Sequence, residues 1–190
     1  MPSTATSATA QIRTLALVGP QGAGKTSLAE ALLVKAGAIG AAGSLERGST
    51  VSDFDPLERK MQHSLNAAVL HFEHAGTCVH LIDTPGSTDF IGQALPALEA
   101  VETAVVVINA ATWKVGGIDA MAVRMMNYAA ERHLDRLLVV NKIDAAGADL
   151  AGLLADIQAS FGRECLPLNL PYTDSAGGSK VVDCFYNREG

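Results

Sequence analysis

Residues 14–26 read TLALVGPQGAGKT, a short apolar run followed by a turn with three glycines at 19, 22 and 24, then a Lys-Thr pair opening the helical stretch KTSLAEALLVK. This feature restricts the fold more than any other. Glycine has no Cβ, so the backbone can turn tightly enough for several N–H groups to point into one space. A helix beginning at Lys25 adds the positive end of its dipole to that space. A strand, a glycine turn and a helix start in this order make a phosphate cradle. GPQGAGKT (19–26) fits the pattern GxxxxGK[ST], and the candidate nucleotide-binding residues here are Gly19, Gln21, Gly22, Ala23, Gly24, Lys25, Thr26 and the following Ser27. Lys25 is placed to reach the β- and γ-phosphates of a nucleotide, and the Thr26 hydroxyl to ligate Mg²⁺.

The remaining apolar runs set the architecture. AVVVIN (104–109) and RLLVVN (136–141) are short and continuously apolar, as buried parallel strands are. AAVLHF (67–72) and CVHLID (78–83) lie close enough in sequence to form an antiparallel hairpin. DAMAVRMMNYAAERH (119–133) has helical spacing, and a last helix is expected near 149–161. Strands alternating with helices imply an open α/β sheet with ligands at the carboxyl ends of its strands. The helix after DTPG is expected over about 88–101, broken near 92–96 with Pro96 opening its second part. Residues 38–66 are Gly/Ser-rich and then charged; so long a stretch without periodicity is functional or mobile. Within it PLERK (56–60) reads as a solvated segment.

Two further motifs stand at strand ends. In DTPGSTDF (83–90), Asp83 ends an apolar strand and can hold Mg²⁺, and the Gly86 N–H can bond a γ-phosphate. In NKID (141–144), Asp144 offers two acceptors to the adjacent ring N–H and amine of guanine. Adenine lacks that pair, so the carboxylate selects GTP over ATP. Asn141 and Lys142 brace the base and the phosphate loop. The phosphate-loop pattern alone is moderately specific, DTPG could be a plain turn and NKxD alone is weak; three in this order, each after a strand, point to a GTP-binding protein.

With these motifs in place, the chain resembles the N-terminal G domain of translational GTPases, above all elongation factor G and its elongation-factor-G-like relatives. LERGST, DTPGSTDF, VNKID, LPLNLPY and VVD carry the resemblance, which runs from about Thr14 to Phe185. It implies a P-loop NTPase G domain of three layers, with a mostly parallel sheet and one antiparallel strand. It places a disordered lead-in at 1–12 and the G-domain core at 13–165. Switch I falls at about 38–66 and switch II at about 83–100. Residues 166–190 read as the start of an insertion, so the chain is expected to stop before the last strand and helix. DSAGG (174–178) has the Ser-Ala of a guanine loop, but no helix-like stretch follows it.

The resemblance also implies GTP hydrolysis to GDP, intrinsically slow and stimulated by the ribosome, with Lys25, Gly86 and Ser87 at the catalytic positions. Thr26, Ser64 and Asp83 are the implied Mg²⁺ residues, and the ribosome is the partner of the full-length protein. Three positions depart from the family. Gly22 stands where an aspartate is frequent, and Ser64 aligns with a Mg²⁺-ligating threonine. Ser87 occupies the place of the histidine that positions the attacking water. Serine is too short for that task, which leaves a GTP/GDP switch with little hydrolysis as the alternative. His63, His71, His74 and His80 could in principle compensate, His63 adjoining Ser64, but they read as surface or packing residues.

Composition narrows the partners. The chain has 190 residues, 48% hydrophobic and 18% charged, with a net charge of −6. That charge argues against a basic nucleic-acid-binding surface, and no direct sequence-specific nucleic-acid binding is expected. No apolar run approaches the roughly 20 residues of a membrane span. Cys78, Cys165 and Cys184 lack CxxC spacing and read as thiols of a reducing cytoplasm. A monomer is expected.

Overall fold

The computed structural model describes residues 8–52, 55–61, 63–145, 147–173 and 179–185. The chain forms two compact units, residues 1–153 and 154–190.

The first unit is built on a five-stranded sheet. Its strands are β1 (Ile12–Val18), β2 (Ala68–His74), β3 (Thr77–Asp83), β4 (Thr103–Asn109) and β5 (Asp135–Asn141), in the order β2-β3-β1-β4-β5. Only β2 runs antiparallel, paired with β3 as the hairpin reading expected. The other pairings are parallel. This is the mostly parallel sheet of a G domain, and each predicted apolar run is a strand within one or two residues.

Helices α1 (Lys25–Lys35), α3 (Ile91–Glu99) and α5 (Ala120–Glu131) connect the parallel strands. Right-handed crossovers place α1 on one face and α3 and α5 on the other, because β1 leads one way to β3 and then back to β4 and β5. Leu17, Leu81, Val105 and Val107 pack with Ala29 and Leu33 on the α1 side. Met125 and Met126 of α5 belong to the core. β4 is buried along its central five residues, which explains its unbroken apolar sequence.

Three local expectations are corrected. Pro96 does not break its helix: α3 is continuous from Ile91 to Glu99, after a 3₁₀ turn at Thr88–Phe90. The proline removes the bond to the Gly92 carbonyl, but both residues are exposed, so water reaches that carbonyl. The segment PLERK is not simply solvated. It forms α2 (Pro56–Met61), with proline at the first helical position and Glu58 only 1% exposed. A helix α4 (Ala110–Gly116) follows β4, in a stretch without a periodic signal. Asn109 caps it, its Oδ1 accepting from the Ala111 N–H at 2.9 Å.

Helix α6 (Leu150–Phe161) runs from the first unit into the second. Within the second unit the Gln158 side chain donates to the Cys165 carbonyl at 3.0 Å. Strands β6 (Asn169–Thr173) and β7 (Ser179–Asp183) pair there as a separate antiparallel hairpin. The DSAGG stretch and residues 1–7 of the expected lead-in lie outside the described residues. Cys78 and Cys165 are half-buried thiols and Cys184 an exposed one.

Candidate nucleotide site

The phosphate loop links β1 to α1. Gly24, at φ +91°, is the N-cap of α1, and it brings no side chain to the first-turn N–H groups. Those groups have no intrahelical acceptor and stay available to an anion. A Cβ at Gly24 would run into Asn141 Nδ2, so both space and conformation require glycine there. Two strand ends hold the loop. Asn109 and Asn141 are register partners on β4 and β5. Asn109 Nδ2 donates to the Gly22 carbonyl at 3.3 Å, and Asn141 Nδ2 to the Ala23 carbonyl at 2.9 Å. Turning these carbonyls toward the asparagines leaves the neighbouring N–H groups to face the cradle.

Lys25 is 6% exposed, and its Nζ donates to the Gly19 and Pro20 carbonyls, each at 2.9 Å. Burial lowers its pKa to about 8, opposed by the negative charges of Asp83 and Asp119. Gly86 comes close to the same ammonium: a Cβ there would collide with Lys25 Nζ and approach Gln21 N within 2.5 Å. The DTPG turn is fixed by Thr84, which is buried and donates its hydroxyl to the Leu17 carbonyl at 2.7 Å.

The oxygen ligands expected for Mg²⁺ converge. Thr26 Oγ1 donates to Asp83 Oδ2 at 2.7 Å and lies 3.4 Å from Ser64 Oγ. A carboxylate and two hydroxyls are all-oxygen donors, the type Mg²⁺ takes. They fit the ion.

These parts surround a cavity of about 220 Å³, whose walls include Lys25, Thr26, Ser64, Gly86 and Lys142, together with Gln21, Gly22, Gly24 and Ser27. The other residues named from sequence lie around it. Gly19 backs onto Val107. Asp144 is exposed in the turn beyond Lys142. Ser87 caps the 3₁₀ turn at Thr88–Phe90, its hydroxyl accepting from the Asp89 N–H at 3.4 Å.

Four residues escaped the sequence reading. Asn109 is one; the matching ends of VIN and VVN were its signal. His63 is another: it lines the cavity beside Ser64, where the sequence favoured surface or packing over a compensating role. The last two are buried glutamates, each 1% exposed. Glu30 lies on the buried stripe of α1 and accepts from the N–H groups of Gly43 at 2.7 Å and Val51 at 2.5 Å. Glu58 accepts from Leu65 at 2.8 Å, Asn66 at 2.9 Å and Asp55 at 3.3 Å. The 38–66 segment therefore has polar anchors where it lacks an apolar face.

Two expected results follow from this geometry. Glu58→Ala strands up to three backbone donors, at about 1–3 kcal/mol for each one left without a partner. Tryptic cleavage at Arg59 and Lys60 should then accelerate at least about tenfold, which is about 1.4 kcal/mol of easier opening. An unchanged cleavage rate would show that this carboxylate does not hold the segment. The second result concerns pH. A phosphate anion favours charged Lys25, so above about pH 8 binding must take up the proton that the free protein has released. Nucleotide affinity should therefore fall as pH rises, by about tenfold from pH 7 to pH 9. Titration calorimetry in buffers of different ionisation enthalpy reads the proton directly, and no uptake at pH 8.5 would refute the linkage.

Comparison with known proteins agrees with this geometry. The family model for the elongation factor Tu GTP binding domain matches residues 10–184. An elongation factor G-like protein of Mycobacterium tuberculosis is 38% identical over 167 residues, covering 88% of this chain and 23% of the relative. Elongation factor G 2 of Streptomyces coelicolor is 34% identical over 172 residues, covering 90% and 24%. A crystal structure of a protein from Thermus thermophilus superposes with a TM-score of 0.84 at 36% identity, over 93% of this chain and 26% of the other. The chain thus spans about a quarter of the length of these relatives. Its three strand-end motifs, its sheet order and these matches make it a member of the elongation factor Tu GTP-binding domain family.

Proposed function

We propose that this chain is the GTP-binding and GTP-hydrolysing domain of an elongation-factor-G-like translation factor that works on the ribosome. The observation that carries the reading is the convergence of Lys25, Thr26, Ser64, Gly86 and Lys142 on one cavity at the strand ends. In this reading residues 13–165 are the G-domain core, 38–66 and 83–100 are the two switches, and 166–190 begin an insertion. The protein works in the cytoplasm as a monomer and makes no sequence-specific nucleic-acid contact through this domain. Among the described residues no helix is long and apolar enough to cross a membrane.

The residues divide the work. The loop N–H groups and Lys25 bind the β- and γ-phosphates, and the Gly86 N–H bonds the γ-phosphate. Thr26, Ser64 and Asp83 would hold Mg²⁺, which supplies charge neutralisation across the phosphates when bound. Asp144 selects guanine, while Asn141 and Lys142 brace it. Positioning and electrostatics are nearly all that phosphoryl transfer requires of a protein. Hydrolysis is slow in the isolated protein and rises when the ribosome orders the switches.

A second reading has its own support. Ser87 puts a shorter side chain in the place of the family histidine, and its hydroxyl oxygen accepts from the Asp89 N–H as a cap. That favours a GTP/GDP switch with little hydrolysis. Single-turnover hydrolysis by the full-length protein, with and without ribosomes, separates the two. Stimulation by ribosomes supports the enzyme; tight GTP binding with no turnover on ribosomes supports the switch. Displacement of GTP by equimolar ATP would sink both.

A further inference from the structure

We propose that His63 orients the water that attacks the γ-phosphate, the task Ser87 is too short to perform. The inference rests on the hydrolytic reading above. His63 follows α2 and lines the same cavity as Lys25, Ser64 and Gly86. Its Nδ1 lies 2.9 Å from the Met61 carbonyl oxygen. A carbonyl oxygen can only accept, so Nδ1 carries the hydrogen in that bond. In the neutral ring Nε2 is then the lone-pair nitrogen, able to accept from a water O–H.

The backbone of this turn is held. Glu58 accepts from the N–H groups of Leu65 and Asn66, two and three residues beyond His63. Ser64, the next residue, lies 3.4 Å from Thr26 at the Mg²⁺ corner. His63 and Ser64 therefore reach the cavity together. An imidazole carried by switch I makes water positioning conditional on switch closure, whereas a switch II residue would carry it with Gly86.

The chemistry is that of the proposed hydrolysis. The water oxygen bonds to the γ-phosphorus, the bond from that phosphorus to the β,γ-bridging oxygen breaks, and GDP leaves with the electron pair. Nε2 holds one hydrogen of the attacking water, and the proton released ends on inorganic phosphate. A group that acts as water approaches appears in the rate and not in ground-state affinity.

The test uses the full-length protein on saturating ribosomes. Single-turnover GTP hydrolysis is compared for wild type, His63→Ala and His63→Gln, with GTP affinity measured in parallel by fluorescent-nucleotide competition. Removing an oriented polar group of this kind costs about 10²-fold or more. His63→Ala should lose at least about tenfold in rate with affinity within twofold. His63→Gln should recover part of the loss, because its carboxamide oxygen also accepts from water. An unchanged rate in His63→Ala overturns the proposal. So does a loss of affinity that matches the loss of rate, or equal losses in both variants, since those mark a structural role. A wild type that binds GTP but never hydrolyses it on ribosomes overturns the hydrolytic reading, and this inference with it. An unaltered His63→Ala rate beside an active wild type removes this inference alone.

Discussion

Lys25→Ala is expected to weaken GTP and GDP binding by about 10²–10³-fold while leaving the chain folded. The buried ammonium makes two bonds to loop carbonyls at 2.9 Å, and its third donor remains for the phosphates. Charge-assisted bonds to anionic oxygens are about twice as strong as neutral ones. Losing the cation together with its bonds costs on the order of 3–4 kcal/mol of binding. The folded state should lose less, because Lys25 itself lines the cavity, so water can enter the space that its ammonium leaves. Lys25→Met keeps the apolar stem and separates charge from packing. Equilibrium competition with a fluorescent nucleotide, beside a thermal midpoint for each variant, checks both halves. Affinity within threefold of wild type would mean that the cation does not face the phosphates. A matching collapse of the midpoint would assign Lys25 to the fold.

The same lysine shows which parts of the molecule were legible in sequence. The phosphate loop, DTPG and NKID are contiguous, so their glycines and polar residues announce themselves in a single window. β4 was legible because burial on both faces leaves its centre no polar position, and β2 because its buried and exposed residues alternate. Local signals failed where an element is short. Helix α2 has six residues, three of them charged, and only its burial of Glu58 distinguishes it from a solvated loop. Helix α4 has seven residues and is started by the Asn109 cap, whose capping bond no periodicity records. Pro96 misled because sequence reports the lost bond to Gly92 and not the solvent that compensates it.

The missed site residues share a physical cause. Asn109 matters through a carbonyl 87 residues away, and Glu30 through N–H groups 13 and 21 residues away. Such partners are set by the sheet order and by the path of the 38–66 segment, which the sequence leaves open. His63 is the instructive case. Beside Ser64 it read as incidental, since nothing in the chain between Met61 and Leu65 says which side faces the nucleotide. The structure adds that it lines the cavity and that its Nδ1 lies 2.9 Å from the Met61 carbonyl oxygen. Ser87, whose family position suggested chemistry, also caps the 3₁₀ turn that follows it.

Asp144→Asn should reduce GTP affinity and shift preference toward xanthosine triphosphate. Asp144 is exposed, two residues beyond Lys142, which lines the cavity. Asn141 is fixed by its bond to Ala23, and the Lys142 N–H donates to Asn141 Oδ1 at 2.9 Å. Lys142 then takes a left-handed conformation, at φ +57°, which redirects the chain before Asp144. The carboxylate is exposed and remains hydrated until a base covers it. Guanine then presents a ring N–H and an amine to two carboxylate oxygens. An amide keeps one acceptor and opposes the guanine amine with an NH₂ group, leaving two donors face to face. The expected loss is about 1–3 kcal/mol, or roughly 5–150-fold in GTP affinity. Xanthine has a carbonyl in place of that amine, so the amide donor gains a partner where the carboxylate met repulsion. The measurement is competition between GTP and xanthosine triphosphate on the full-length protein, with the thermal midpoint as a fold control. The ratio of the two affinities should move by at least the GTP loss itself, because the two effects have opposite signs. A ratio that stays at its wild-type value would mean that Asp144 does not read the base, and that guanine selection lies in another loop.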